Sequence, residues 1–209
     1  MKGNELILVG AGGHALSLAE FAAGEIRGYL AMEENPEMTG EWLGTDDMLE
    51  SLIAEGHLFH IAFVYSELPH MESRRELIET YESKGAKFKT LVSPLATVTP
   101  NSKIGEGCAV MTGSIINRAT LGRNVIVNSG AIVEHDCRVG DNTFIGPGAV
   151  IGGFTTIGSG CFIGLGARIG NGLKIGDNIT VAMGAVVSKD LEEPGLYHGN
   201  PLKIFKWKK

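Results

Sequence analysis

Three consecutive residues, Glu134, His135 and Asp136, concentrate more chemistry than any other stretch of this chain. A carboxylate on each side of an imidazole can hold the ring in one tautomer and stabilise the imidazolium formed when it takes a proton. His135 sits in the hexad Val133-Glu134-His135-Asp136-Cys137-Arg138, whose neighbouring hexads carry bland residues at the same places. A second candidate lies near the N-terminus, where an apolar run from Glu5 to Val9 meets Gly10-Ala11-Gly12-Gly13-His14-Ala15. Helical spacing follows through Ala15, Leu18, Ala19 and Ala22. Glycines between a strand and a helix let the backbone approach a ligand, and the helix N–H groups and dipole favour an anion there. A dinucleotide fingerprint wants a third glycine, and position 15 holds Ala.

The element that must position His135 is a repeat. Leu121, Val127, Val133, Val139, Ile145, Ile151, Ile157, Ile163, Ile169, Ile175, Val181 and Val187 recur at every sixth position. Gly follows the aliphatic residue at 122, 140, 146, 152, 158, 164, 170 and 176. A mostly small residue stands four positions after it. Period six fits neither a helix nor simple alternation; it predicts a parallel β-helix with three sides per coil. The aliphatic residue is expected to point inward, and the glycine to supply a tight corner with φ > 0. Val98, Ile104, Val110 and Ile116 begin the pattern, and Leu121 comes one residue early, a deletion that a corner between Asn117 and Thr120 would absorb. Val98 to Val187 makes about five coils, a prism roughly 24 Å tall. Glu192-Glu193-Pro194-Gly195 closes it, and Tyr197 to Lys203 forms a cap segment.

The first half reads as alternating strands and helices. Strands are expected at Ile26–Ala31, around Trp42-Leu43-Gly44, from His57 to Tyr65 and from Lys87 to Val92. Thr45 is the expected cap of a helix with Asp46 and Asp47 in its first turn and Met48, Leu49, Leu52 and Ile53 as its apolar stripe. Another helix is expected from about Pro69 to Ser83. An acid at the end of the second strand would serve a ribose or base, which points to Glu33 or Glu34. The fold class is therefore a Rossmann-like α/β domain over residues 1–93, followed by an all-β parallel β-helix over 94–209.

Composition excludes several classes. A formal charge of −6 with no basic stripe before Lys203 to Lys209 argues against a nucleic-acid groove. No apolar run is long enough to span a membrane, and the N-terminal run is too short for a signal peptide. Cys108, Cys137 and Cys161 all fall on the small inward position, so they read as core thiols of a cytoplasmic protein. A zinc hydratase on this repeat would need three converging histidines, and His135 stands alone among the hexads, so no metal is expected.

The hexads, the segment Asn128-Ser129-Gly130-Ala131-Ile132-Val133-Glu134-His135-Asp136-Cys137 and the terminal Gly199-Asn200-Pro201-Leu202-Lys203 resemble the left-handed β-helix acyltransferases. With the Gly10-Ala11-Gly12-Gly13-His14 loop, essentially the whole chain is similar to the sialic-acid O-acetyltransferase and nucleotide-amino-sugar N-acetyltransferase (NeuD/PglD-like) family. The resemblance implies acetyl transfer from acetyl-CoA, with no metal, in a cleft between the prisms of a homotrimer. It makes His135 the general base, with Asp136 or Glu134 on its other ring nitrogen, and Asn128 a lining residue of the acceptor site. It places the sugar nucleotide on Gly10, Gly12, Gly13, His14 and Glu33. It assigns the CoA arm to Gly153, Leu165, Ala182, Met183 and Gly184, with the Gly153 N–H meeting the thioester carbonyl. The chain departs from the family in four places. Phe144 stands where relatives often carry a second histidine, Tyr65-Ser66-Glu67 replaces a Gly-Asp-Asn type segment, Ser93-Pro94-Leu95-Ala96 leads into the repeats, and the acidic pair after the second strand is displaced. The alternative reading is a non-catalytic β-helix scaffold that binds a sugar nucleotide.

Overall fold

The computed structural model describes residues 4–64 and 71–199, and the backbone of 203–205. Tyr65-Ser66-Glu67, Pro69, Asn200-Pro201-Leu202 and the tail from Lys206 lie outside the described residues. The chain forms two compact units, Met1–Leu91 and Val92–Lys209.

The first unit is a parallel sheet with strands β1 (Leu6–Val9), β2 (Ile26–Leu30), β3 (Glu41–Trp42), β4 (Leu58–Ile61) and β5 (Lys87–Phe88), in the order β3-β2-β1-β4-β5. Helices α1 (Gly13–Ala22), α2 (Leu49–Ala54) and α3 (Met71–Ser83) connect them. Strand β1 is central and wholly apolar, and all four of its residues are buried. Helix α1 buries Ala15, Leu18, Ala19 and Ala22, the stripe read from the sequence. Beyond β2 the chain is less regular than expected. A single 3₁₀ turn, Asp46–Met48, precedes α2. Its tighter winding leaves Met48 outside the stripe, 42 % exposed. Thr45 donates its hydroxyl to the Asp47 carboxylate at 3.2 Å and caps no backbone N–H.

The second unit is a three-sided parallel β-helix. Its first face stacks Thr97–Val98, Ile115–Ile116, Ile132–Val133, Val150–Ile151, Arg168–Ile169 and Val186–Val187. The second stacks Lys103–Ile104, Thr120–Leu121, Arg138–Val139, Thr156–Ile157 and Lys174–Ile175. The third includes Ala109–Val110, Ile126–Val127, Phe144–Ile145, Phe162–Ile163, Ile179–Val181 and Gly195–His198. Lys203–Phe205 pairs antiparallel to Gly195–His198, the one reversal among the described strands of this ladder. The second residue of each hexad strand faces inward, and the buried aliphatics from Val110 to Val187 make one continuous core. Pairing Leu121 with Ile104, and Val133 with Ile116, shows coils one residue short on either side of the slip. From Val133 onward partners stand 18 apart, as in Val133 with Ile151.

Two features of the repeat differ in cause from the sequence reading. The glycines after each aliphatic residue do not have positive φ. They are small because the next coil lies against them. A Cβ at Gly140 would stand 2.6 Å from the Gly158 carbonyl carbon, and one at Gly146 would stand 2.8 Å from the Leu165 nitrogen. At Gly122 and Gly158 it would strike the carboxylates of Asp141 and Asp177, which accept the N–H groups of Arg123 and Ser159 at 2.8 and 2.7 Å. The left-handed residue comes two positions later. Every sixth residue from Arg118 to Gly184 has φ between 50° and 69°, and nine of these twelve are Gly or Asn. Arg118, Asp136 and Phe154 are the exceptions, one per coil on the same edge.

The cysteines share a task with two threonines. The thiols of Cys108, Cys137 and Cys161 donate to the carbonyls of Gly122, Gly152 and Gly176 at 3.1, 3.1 and 3.0 Å. Thr143 and Thr155 donate in the same way to Gly158 and Gly170, each at 2.8 Å. A small inward residue with a donor thus satisfies a buried corner carbonyl. All three cysteines are free.

Candidate functional site

His135 lies on the edge where the first face turns into the second. Its ring is held by the adjacent Asp136 and by Gly153 and Phe154 of the next coil. Asp136 Oδ2 is 3.1 Å from His135 Nδ1. The hydrogen bond with His135 holds the Asp136 carboxyl below its ordinary range, and Arg118, with Nη2 3.4 Å from Asp136 Oδ1, adds to the effect against partial desolvation. An ionised carboxylate only accepts, so Nδ1 is the donor in this contact, and in the neutral ring the lone pair lies on Nε2. Glu134 is engaged elsewhere: its Oε2 accepts the Asn117 amide at 3.0 Å and the His135 backbone N–H at 3.2 Å. Asp136 is thus the partner of the ring, and Glu134 pins the corner that carries it.

Gly153 and Phe154 come from the next coil. A Cβ on Gly153 would be 2.8 Å from His135 Nε2 and 2.9 Å from Cε1, so glycine is what lets the ring lie there. Phe154 donates its backbone N–H to the His135 carbonyl at 2.9 Å. Its ring meets the imidazole edge to face, with centroids 5.0 Å apart and an interplanar angle of 90°. The imidazole itself is 45 % exposed. Asn117, Arg118 and Phe154 were not singled out from sequence. The signal was present as the 17- and 18-residue coil spacing, which stacks Asn117 on Glu134 and both Arg118 and Phe154 on Asp136.

The other expected residues lie apart. Asn128, Leu165, Ala182, Met183 and Gly184 sit on the edge where the third face turns into the first, at the opposite end of the first-face strands from His135. Asn128 Oδ1 accepts the Ser129 N–H at 2.7 Å. Leu165 and Met183 stack one coil apart and are 56 % and 76 % exposed, and Gly184 donates its N–H to the Leu165 carbonyl at 2.8 Å. Phe144 packs on Phe162, rings 4.8 Å apart, on the third face.

In the first unit a cleft of about 760 Å³ opens at the ends of β1 and β2, lined by Gly10, Ala11, Met32, Asp46, Asp47 and Ser73 among others. Gly10 has φ +111, and Gly12 and Gly13 have no atom within 4 Å of a hypothetical Cβ, so that stretch of backbone is open to a ligand. Asn35 ties the second loop to the first by donating its amide to the Ala11 carbonyl at 2.7 Å. Glu33 is exposed and lines no part of the cleft; the acids there are Asp46 and Asp47. Asp46 accepts the Tyr81 hydroxyl at 2.6 Å. His14 turns inward. Burial, with His60 and Arg74 nearby, pushes its pKa down to about 3, so it is neutral and offers no positive charge. His60 is likewise lowered to about 4 by burial, and its Nδ1 donates to the Lys89 carbonyl at 2.9 Å.

Among the described residues no group of His, Cys, Asp and Glu could hold a metal ion, and no helix is long and apolar enough to cross a membrane. Two family models match the repeats: the bacterial transferase hexapeptide (six repeats) over residues 118–153, and the hexapeptide repeat of succinyl-transferase over 154–189. Among curated proteins none matches the sequence. Among solved structures, the acetyltransferase domain of PglB from Neisseria gonorrhoeae is 32 % identical with a TM-score of 0.88, over 97 % of this chain and 100 % of that one. It has also been solved with acetyl coenzyme A. PerB from Caulobacter crescentus, solved with CoA and GDP-perosamine, is 30 % identical with a TM-score of 0.85, over 97 % of both chains. WeeI from Acinetobacter baumannii, 22 % identical, shares the fold over 96 % of this chain and 99 % of its own, with a TM-score of 0.82. The hexad core, the His135 edge and end-to-end likeness at this identity converge: the chain belongs to the PglD-like family of left-handed β-helix sugar acetyltransferases.

Proposed function

We propose that this enzyme transfers an acetyl group from acetyl-CoA to the amino group, or a hydroxyl, of a nucleotide-linked sugar in cytoplasmic glycan biosynthesis, with His135 as general base. The observation that carries the reading is the His135 ring held through Nδ1 by Asp136, with Nε2 free beside Gly153. The acceptor nitrogen attacks the thioester carbonyl and gives its proton to Nε2. The C–S bond then breaks, and the departing CoA thiolate takes that proton from the imidazolium. Asp136 stabilises the imidazolium between the two events. No acceptor among the described residues takes the Gly153 N–H, which leaves it available to the developing oxyanion. A scaffold without chemistry would have no use for an ionised carboxylate aimed at a half-exposed imidazole.

The two edges of the prism supply the rest. CoA runs along Leu165, Ala182, Met183 and Gly184, with Asn128 on the same edge, while His135 and Gly153 occupy the other. One prism cannot bring both edges to one cleft, so the site is completed by a second copy, and three copies close the ring. The half-buried outward residues Ile115, Ile132 and Val150 on the intervening face supply the apolar contact. The nucleotide occupies the cleft beside Gly10, Gly12 and Gly13, whose open backbone suits a pyrophosphate. His14 lies behind that loop as a neutral support, and Asp46 and Asp47 are the acids that face the ligand in the cleft.

The test mixes purified protein with acetyl-CoA and a panel of UDP-, GDP- and dTDP-amino sugars and follows free thiol release. Turnover on at least one acceptor is expected, and His135→Ala should cut it by about 10² to 10⁴ with acetyl-CoA affinity retained. Absence of both turnover and CoA binding, or full activity of H135A, would overturn the reading. A thermal-shift screen with free nucleotides identifies the base the cleft selects.

A further inference from the structure

The left-handed corner position of the repeat is occupied by Gly or Asn at nine of twelve places, because side chains other than these tolerate that backbone poorly. Phe154 breaks the rule with φ 62, a conformation that is costly for a bulky aromatic. The ring is not buried in the core: Phe154 is 65 % exposed. Yet the ring is not idle. It stands edge to face with His135, on a backbone hydrogen-bonded to the His135 carbonyl. A strained, exposed, apolar side chain fixed against the base is poor for stability and well placed for a ligand.

We propose that Phe154 is a specificity-determining residue, the aromatic wall on which the apolar C–H face of the acceptor's sugar ring rests while its nucleophile meets His135 Nε2. An exposed aromatic face beside convergent polar groups is the usual build of a site that orients a small molecule. Here the imidazole with its Asp136 partner supplies the polar group, and Phe154 supplies the surface. Adjacent Gly153 has no Cβ, which lets the imidazole lie where it meets the Phe154 ring. Phe154 therefore selects sugars that present an apolar ring face when their nucleophile is aimed at Nε2. This rests on the acetyl-transfer reading above.

The experiment compares wild type, F154N and F154Y with the amino-sugar nucleotide that turns over fastest in the panel. Asn suits the left-handed backbone and removes the ring; Tyr keeps the ring. Measured are kcat, KM for the acceptor, KM for acetyl-CoA, melting temperature and oligomeric state. F154N is expected to raise the acceptor KM at least tenfold, to leave the acetyl-CoA KM within twofold, and to melt no lower than wild type. F154Y is expected to restore the acceptor KM to within threefold. An unchanged acceptor KM in F154N, an equal rise in both KM values, a lower melting temperature, or dissociation of the assembly would each overturn the assignment. A wild-type protein that acetylates no panel member refutes the acetyl-transfer reading itself, a result separate from any difference between the variants.

Discussion

Gly153→Ala probes the contact on which the site depends. The backbone of Gly153 lies outside the left-handed region, so alanine is accommodated without strain, and its N–H is retained. The added Cβ, however, would stand 2.8 Å from His135 Nε2. A relaxed contact needs about 3.5 Å, so the imidazole must retreat by about 0.7 Å or swing around its own axis. Either movement lengthens the 3.1 Å contact between Nδ1 and Asp136 and carries Nε2 away from the acceptor. Misplacing a reacting group by about 1 Å costs on the order of 10² in rate, so kcat should fall about 30- to 100-fold. Acetyl-CoA affinity should hold, because the clash touches the base alone. The melting temperature should move by no more than about 2 °C, as for a surface substitution. Thiol-release kinetics reads the rate, and the His135 Cε1–H resonance reads the ring's displacement without any substrate. Wild-type kcat together with a shifted ring would show that the position of His135 does not control the reaction. An unshifted ring would show that Gly153 is not what makes room for it.

Asp136→Asn removes the charge that faces the imidazole but suits the left-handed φ of 60, so kcat should drop about 10- to 100-fold with little change in melting temperature, and full activity would remove Asp136 from the mechanism. Acid should destabilise the first unit. His14 and His60 have folded pKa values of about 3 and about 4 against 6.5 in the unfolded chain, so the unfolded state binds more protons as pH falls below 6.5. At pH 5 this amounts to about 2 kcal/mol per histidine, measurable as a lower urea midpoint than at pH 7, and a midpoint independent of pH would refute it. The three buried thiols should resist Ellman's reagent at pH 8 in the native protein and react together on unfolding, since burial pushes the Cys161 thiol up to about 11 and raises Cys137 as well. Cys161→Ala leaves the Gly176 carbonyl without its donor and should cost about 1 kcal/mol by denaturant titration, whereas Cys161→Thr should recover most of it.

The β-helix was legible because its side-chain demands repeat: twelve aliphatics at one spacing leave few other shapes. Its glycines were legible as necessary but not for the right reason. Close approach of the next coil, which no single hexad reveals, excludes a Cβ at Gly140 and Gly146. His135 stood out by its chemical oddity among bland hexads. Its supports did not, since Arg118 and Phe154 are ordinary residues until the chain is read in steps of 18. In the α/β half, propensity located the elements but missed the 3₁₀ turn that brings Asp46 and Asp47 to the cleft in place of Glu33. His14 was read as a ligand group from its place in a glycine loop; only the fold shows its ring turned toward His60 and Arg74.

The reversed strand Lys203–Phe205 has a consequence for how the stack ends. A stack of parallel coils ends in an edge that is itself a template, because any further strand of matching register could add to it as the coils added to one another. On the third face that addition is forestalled: Lys203–Phe205 runs antiparallel on Gly195–His198, so the outermost strand no longer has the direction that another coil requires. The third-face ladder thus ends on a strand of opposite sense, which a further parallel coil cannot continue in register.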